Sequence, residues 1–402
     1  MTSEGRPHPA RAVRAAAATL LLLVAGCGTT GHFQTAPAAT PRAPGQSGSA
    51  LTGFQFLPNG SGWLVTQTFS GRNAIWHTVD WGRSWVDVTP EDANPPGASE
   101  LAGNAQPISG FDFLTGEDAF VAIQRQAATV RQSSATIYFT GDGGRSWRRV
   151  SRVAGGESQV SFLTSQVGFD SVQEGAAAGA TAMRLLGTSD GGRRWVTLVS
   201  ASPAGGPAGG LPLGCDKNAP GWATASTGWM TAFCSGGAAL YFFRTTDGGR
   251  SWLRQPLPVP KGVPVTDSFD CMCRTSPPRF FGADNGVELV TFYSPQLTLQ
   301  FAYTTQDGGA QWLPTRIPDG AARVDLVTFR DWVTVAGNRL AETSDAGAHW
   351  SYLPAHPSLD GAQLDFTSPS EGFAVMDPQG PRPTLWQTTN GGRDWVRRRF
   401  PQ

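Results

Sequence analysis

Asp267, Asp270 and Asp284 lie close together in the sequence and are the nearest approach to acid–base machinery in this 402-residue chain. Two carboxyl groups converging across a cleft at about 5–10 Å would suit glycoside hydrolysis, one giving a proton while the other attacks or activates water. Loops are commonly acidic, however, and only short sequence distance joins these three. Tyr293 and Glu174 have the types of a nucleophile and its supporting carboxylate, but no sequence feature pairs them. The five histidines are dispersed, His8 and His32 near the N-terminus, so neither a metal cluster nor a Ser/His/Asp set emerges. Gly-Gly pairs recur, yet they fall in strand-to-strand turns rather than ahead of helices, which removes a phosphate-loop reading. No catalytic or metal-binding set is therefore expected, and no cofactor.

What recurs is structural. The pattern Thr-x-Asp-x-Gly-x-x-Trp comes round seven times: Asp80 with Trp85, Asp142 with Trp147, Asp190 with Trp195, Asp247 with Trp252, Asp307 with Trp312, Asp345 with Trp350, and Asn390 with Trp395 in the one copy that lacks the acid. Each copy suits the tip of a β-hairpin. The Asp or Asn side chain accepts from amides further round the turn, and glycine supplies the positive φ of a tight reversal. The tryptophan opens the outgoing strand and can bury its ring between neighbouring sheets.

Upstream of every box lies a second motif, two short apolar strands around a turn, as in Gly53-Phe54-Gln55-Phe56, Phe111-Asp112-Phe113 and Leu364-Asp365-Phe366. Each unit therefore reads as strand A, turn, strand B, loop, strand C, box turn, strand D. Alternation such as Ile75, Trp76, His77 or Ile137, Tyr138, Phe139 supports half-buried strands. Seven units over residues 51–402 give about 50 residues each, the size of a four-stranded propeller blade. The expected fold is all-β: a seven-bladed β-propeller of four-stranded antiparallel blades.

Strand order then separates two faces. The A–B and C–D turns lie on one side of the disc and are short. The B–C and D–A connections lie on the other, and every long segment is of this kind: D–A at about 89–109, 200–218 and 254–278, B–C at about 124–135 and 171–180. Loops on a rigid scaffold concentrate binding residues, so this face is the expected contact surface. Cys215, Cys234, Cys271 and Cys273 fall there too; an even number in an exported chain favours disulfides, with three pairings open, and a zinc site as the sharper alternative. On the tight-turn face, Arg83, Arg145, Arg193, Arg250 and Arg393 follow the box glycine and should form a rim that an anionic partner could use, although hairpin tips are more often simply solvated.

The N-terminus reads as export machinery. Arg6, Arg11 and Arg14 precede an apolar stretch from Ala15 too short to span a bilayer stably, and Val24-Ala25-Gly26-Cys27 has the form of a lipobox. Residues 1–26 are expected to be a lipoprotein signal peptide with lipid on Cys27, which with more than one acyl chain would anchor the protein to the extracytoplasmic side of a bacterial membrane. Residues 27–50 read as a disordered Pro/Ser/Gly tether. Removing the leader leaves 28 basic against 30 acidic side chains, which gives no electrostatic case for nucleic acid. The expected partner is another protein or a cell-envelope component, with the lipid anchor as the sole membrane contact and the chain itself a monomer.

Boxes such as Asp142-Gly143-Gly144-Arg145-Ser146-Trp147, recurring unit after unit over 51–402, resemble those of the Asp-box (BNR-repeat) propellers, and most closely the photosystem II stability and assembly factor-like family. More distant likenesses are the luminal domain of sortilins and the sialidases. The closest resemblance implies a non-enzymatic binding or assembly scaffold. The alternative it leaves is an exo-sialidase-like glycoside hydrolase. Sialidases carry an Arg-Ile-Pro signature ahead of the first box, whereas Arg316-Ile317-Pro318 follows the fifth. Tyr138, Tyr241 and Tyr303 share one strand parity, which reads as packing.

Overall fold

The computed structural model describes residues 49–401 except 69–70, 96–106, 178–179, 203–208, 214, 234–239, 262, 264–273, 294–297 and 381. Short β-branched and aromatic runs punctuated by Gly, Pro, Ser and Asn turns form seven antiparallel sheets. Strands A to D of blade 1 are Ser49–Phe56, Gly62–Thr68, Asn73–Thr78 and Val86–Asp87. Blade 2 has Ile108–Phe113, Asp118–Arg125, Ser134–Gly141 and Arg148–Ala154. Blade 3 has Ser158–Phe162, Gly168–Ala177, Ala180–Thr188 and Val196–Ala201. In blade 4 the innermost strand is split into Asp216–Lys217 and Gly221–Trp222, followed by Gly228–Phe233, Leu240–Thr245 and Leu253–Arg254. Blade 5 is split likewise, Arg274–Thr275 and Arg279–Phe281, then Asn285–Tyr293, Thr298–Thr305 and Leu313–Arg316. Pro220 in one case, Pro277 and Pro278 in the other, stand in the gaps, where a missing N–H cannot join a ladder. Blade 6 has Ala321–Leu326, Trp332–Ala336, Arg339–Thr343 and Ser351–Pro354. Blade 7 has Gln363–Phe366, Gly372–Met376, Thr384–Thr388 and Val396–Arg398.

The seven-bladed, four-stranded expectation holds, with one correction on the loop face. Residues 171–180 are not a long B–C loop: strands B and C of blade 3 run on as a hairpin to Ala177 and from Ala180, because the register Ala177↔Ala180 continues the ladder to its end. The expected leader, Cys27 and almost all of the tether lie outside the described residues.

Packing between blades is alike at five of the seven interfaces, Val287 and Val333 standing in for the strand-B ring in blades 5 and 6. The aromatic of strand B stacks face to face on the aromatic of strand A in the next blade: Trp63 on Phe113 at 4.8 Å, Phe120 on Phe162 at 3.5 Å, Phe169 on Trp222 at 3.5 Å and Trp229 on Phe280 at 4.4 Å. The box tryptophan then meets the strand-A ring of its own blade edge-on, as Trp195 meets Phe162 and Trp252 meets Trp222. Such offset and T-shaped pairs add to the gain from area burial. Glycine at the start of strand B makes room for the strand-A ring; a Cβ on Gly168 would sit 2.4 Å from Phe162. The same stack closes the circle, Phe373 of blade 7 lying 3.4 Å from Phe56 of blade 1. Among the described residues no strand is exchanged at this seam, since blade 7 supplies its own four strands.

Candidate functional site

On the tight-turn face each box closes on itself. In blade 2 the Thr140 hydroxyl donates to Asp142 Oδ1 at 2.8 Å and accepts the Gly144 amide at 2.9 Å. Asp142 Oδ1 also takes the Ser146 amide at 2.9 Å, and its Oδ2 takes the Ser146 hydroxyl at 2.6 Å. These hydrogen bonds, the Ser146 hydroxyl foremost, hold the Asp142 carboxyl down at about 2. In blade 6 the His349 amide and side chain do the same for Asp345. Asn390 replaces the acid in blade 7 and still accepts the Asp394 amide at 3.0 Å, so an amide oxygen suffices for the turn. The position after the acid has positive φ throughout; Trp81 (φ 64) and Ala346 (φ 59) occupy it in two boxes, where glycine is the easier residue.

The threonine that opens each box is the part that sequence reasoning left without a role. Thr140 is fully buried and shared between two turn partners. Thr140→Val keeps its shape but orphans the Gly144 amide, and should cost about 1–3 kcal/mol, measured by denaturant unfolding.

The five box arginines are exposed, as expected, and each folds back on its turn. Arg250 Nη1 donates to Asp247 O and Arg393 Nη1 to Asn390 O, both at 2.8 Å; Arg145 reaches Asp142 O at 3.1 Å, with Arg193 and Arg83 longer at 3.4 and 3.5 Å. Each guanidinium thus spends one donor on its own turn and is held against it by that bond.

The opposite face is built differently, from insertions pinned to the blades. After blade 1, Asn94 and Asn73 exchange two side-chain-to-backbone hydrogen bonds of 2.8 Å, and the Tyr138 hydroxyl of blade 2 donates to Asp92 at 2.7 Å. After blade 4, the Tyr303 hydroxyl of blade 5 donates to Pro258 O at 2.9 Å. Before blade 4, buried Lys217 donates to Cys215 O at 2.6 Å and Pro212 O at 3.0 Å, and burial pulls its ammonium down to about 8. Tyr138 and Tyr303 are therefore packing residues with a definite task, holding loops. Val130, Leu213 and Val259 stand on these connections, 39%, 40% and 59% exposed. Cys215 is disulfide-bonded, so it is no thiolate ligand and the four-thiolate zinc alternative falls. Cys234, Cys271 and Cys273 lie outside the described residues.

Among the described residues, those weighed for catalysis do not come together. Glu174 is on strand B of blade 3, ion-paired to Arg184 at 3.0 Å. Asp284 sits in the A–B turn of blade 5, on the tight-turn face, where its carbonyl accepts the Gly308 amide. Asp267 and Asp270 lie outside the described residues. Tyr293 ends strand B of blade 5, and Arg316 ends strand D there, paired to Asp319 at 2.6 Å. Among the described residues, no three His, Cys, Asp or Glu side chains are grouped to hold a metal ion, and no helix is long and apolar enough to cross a membrane.

Sequence reasoning also passed over buried acids. Asp112, Asp325 and Asp365, each on strand A just before its aromatic or aliphatic partner, are all buried. Asp170 and Glu288 occupy strand-B positions filled elsewhere by Leu64, Val121 or Met230. Burial pushes Asp112 up to about 8 and Asp170 to about 7, and raises Glu288 strongly. An Asp flanked by apolar residues in a strand was the available signal.

The sequence matches no protein-family profile and no curated protein. Solved structures do match the fold. YCF48 from Cyanidioschyzon merolae superposes with a TM-score of 0.52 at 17% identity, over 84% of this chain and 96% of that one. A polysaccharide lyase of family PL25, an ulvan lyase, gives 0.51 at 11% identity, over 89% and 98%. These likenesses concern architecture alone.

Proposed function

We propose that the chain is a lipid-anchored, extracytoplasmic propeller that acts as a non-enzymatic binding or assembly scaffold, similar in role to photosystem II assembly factor-like propellers, and that it binds through its insertion face. The observation that carries this reading is the contrast between the faces. One consists of short box turns whose acids and threonines are bonded within the turn. The other displays loops fixed by Tyr138, Tyr303, Lys217 and Asn94, with aliphatic side chains held in water. Pre-ordered loops lose little entropy on docking, which favours recognition. Strand A of blade 1 runs from this face toward the box turns, so the tether enters at Ser49 on the contact side and would turn that side toward the membrane. The dispersal of Glu174, Asp284 and Tyr293 supports a scaffold over a glycoside hydrolase.

Photo-crosslinking residues at Val130 and Val259 should capture one discrete envelope partner in cells, while the same probe at Arg145 or Arg250 captures none. Adducts confined to the arginine positions, or release of reporter from sialosides or other glycosides by the purified protein, would overturn the proposal.

A further inference from the structure

Cys215 is disulfide-bonded, and apart from Cys27 in the expected leader three cysteines could meet it: Cys234, Cys271 and Cys273, all outside the described residues. The strands around Cys215 decide between them. In blade 4, strands A and B pair antiparallel with Asp216 opposite Phe233 and Lys217 opposite Ala232. The Asn218 amide donates to Thr231 O at 3.0 Å on the same ladder. One step beyond Asp216 and Phe233, the ladder sets position 215 opposite position 234. Hydrogen-bonded and non-hydrogen-bonded pairs alternate along an antiparallel ladder, so counting from Asn218 and Thr231 the 215/234 pair is of the second kind, with side chains closer and Cα atoms about 4.5 Å apart. That spacing lies inside the window of about 4.4–6.8 Å that a disulfide requires.

The two faces of the blade agree with the register. Cys215 packs among Met230 and Ala232 of strand B, and among Met183, Val199 and Leu211 from blade 3 and the connection after it, so its side chain lies on the blade-3 side of the sheet. Strand residues alternate between faces, and Met230, Ala232 and position 234 share one. Cys271 and Cys273 precede a strand that arrives from the other side. Thr275, in strand A of blade 5, meets Thr231 hydroxyl to hydroxyl at 2.7 Å and accepts from Asn218 Nδ2 at 3.0 Å. Thr231 stands between Met230 and Ala232 in the strand and therefore points to the opposite face. The sheet of blade 4 thus separates the Cys215 side chain from the blade-5 strand.

We propose that Cys215 is bonded to Cys234, a bridge across strands A and B of blade 4 on the insertion face, and that Cys271 and Cys273 take no part in it. Its formation is a thiol–disulfide exchange with a disulfide-bearing oxidoreductase of the export compartment. One cysteine thiolate attacks the carrier disulfide, the second displaces the mixed disulfide, and the carrier leaves as a dithiol with both electrons and both protons. The bridge fastens the connection entering blade 4 at a point already held by two other contacts. The Cys215 carbonyl accepts the Lys217 ammonium at 2.6 Å and the Thr181 amide of blade 3 at 3.2 Å. The insertion between blades 3 and 4 is therefore tied to both blades it joins, and this holds whatever partner the face takes.

Trypsin separates the candidates, because Arg194, Lys217, Arg244, Lys261 and Arg274 put Cys215 in residues 195–217, Cys234 in 218–244, and Cys271 with Cys273 in 262–274. The full chain, isolated in its oxidised form, is treated with a maleimide in denaturant to cap every free thiol, digested without reduction and read by mass spectrometry. Residues 195–217 and 218–244 should be found as one linked species that reduction splits, with 262–274 on its own. The double variant Cys271→Ser, Cys273→Ser should give the linked species at wild-type yield. A link between 195–217 and 262–274, a maleimide on Cys215 of the wild-type chain, or loss of the linked species in the double variant would overturn the pairing.

Discussion

Trp252→Ala should lower the stability of the propeller by about 3–5 kcal/mol, the range for truncating a large enclosed aromatic. Trp252 is 2% exposed, packs edge-on against Trp222, and donates its indole N–H to Gly249 O at 3.0 Å. Trp222 in turn stacks on Phe169 of blade 3, so the truncation removes one wall of a cluster shared by two blades. The cavity would open in the cluster that holds Met230, Phe243 and Leu211, and a close-packed interior relaxes only partly into such a void. Thermal unfolding should show a drop of about 5 °C, since a domain of about 350 residues shifts by a little over one degree per kcal/mol. Trp85, half-buried at the rim, should cost less when truncated. A Trp252→Ala protein that melts with the wild type would refute the packing role, which Trp350 and Trp395 share in donating their indole N–H to the box glycine carbonyl.

Stability should also be greatest in mild acid, between about pH 4 and 5. Asp112 titrates at about 8 in the fold against 3.8 as its ordinary value, because burial disfavours its charge. Between those values the native state holds a proton that the unfolded chain has released, so each such group makes stability fall as pH rises, by about 1.4 kcal/mol per pH unit. Asp170 acts in the same direction up to about 7, and Glu288 and the Asp325–Asp365 pair add to it. Below pH 4 the sign reverses. Asp142 and Asp345, held at about 2 by their turn hydrogen bonds, contribute stability that is present above the ordinary carboxylate value and lost as pH falls through 2. A melting temperature measured from pH 3 to 9 should pass through a maximum and decline toward the alkaline end. A curve rising from pH 5 to 8 would contradict the assignment of neutral buried acids.

The architecture was legible because the box is redundant. Seven copies of an Asp or Asn, a glycine and a tryptophan at fixed spacing state the turn, the strand that follows and the number of blades. The loop asymmetry was legible from strand order alone, except at 171–180, where small residues that look like a linker continue a hairpin. The aromatic stacks were not legible, nor were the hydrogen bonds that Asp112, Asp325 and Asp365 accept from strand-A amides of the next blade. Both join residues about fifty or, for Phe56 with Asp365, 309 positions apart, and their meaning depends on which edge of strand A is left without a neighbour. Phe-Asp-Phe reads as one more alternating strand until that edge is known. Lys217 is similar: it caps carbonyls of a loop whose path no local pattern predicts.

The stack of a strand-B ring on the following strand-A ring has a direction, given by one blade and received by the next, and the contact of Phe373 with Phe56 is the same in kind as the stacks within the chain. A head-to-tail contact of this sort closes when the rotation per unit divides the circle, whether or not the polypeptide crosses it. Where translation begins is then incidental to the assembled disc. Opening the backbone within another D–A connection and joining the present ends would give a circular permutant with every interface preserved, and its first and last blades would meet through a different pair of rings.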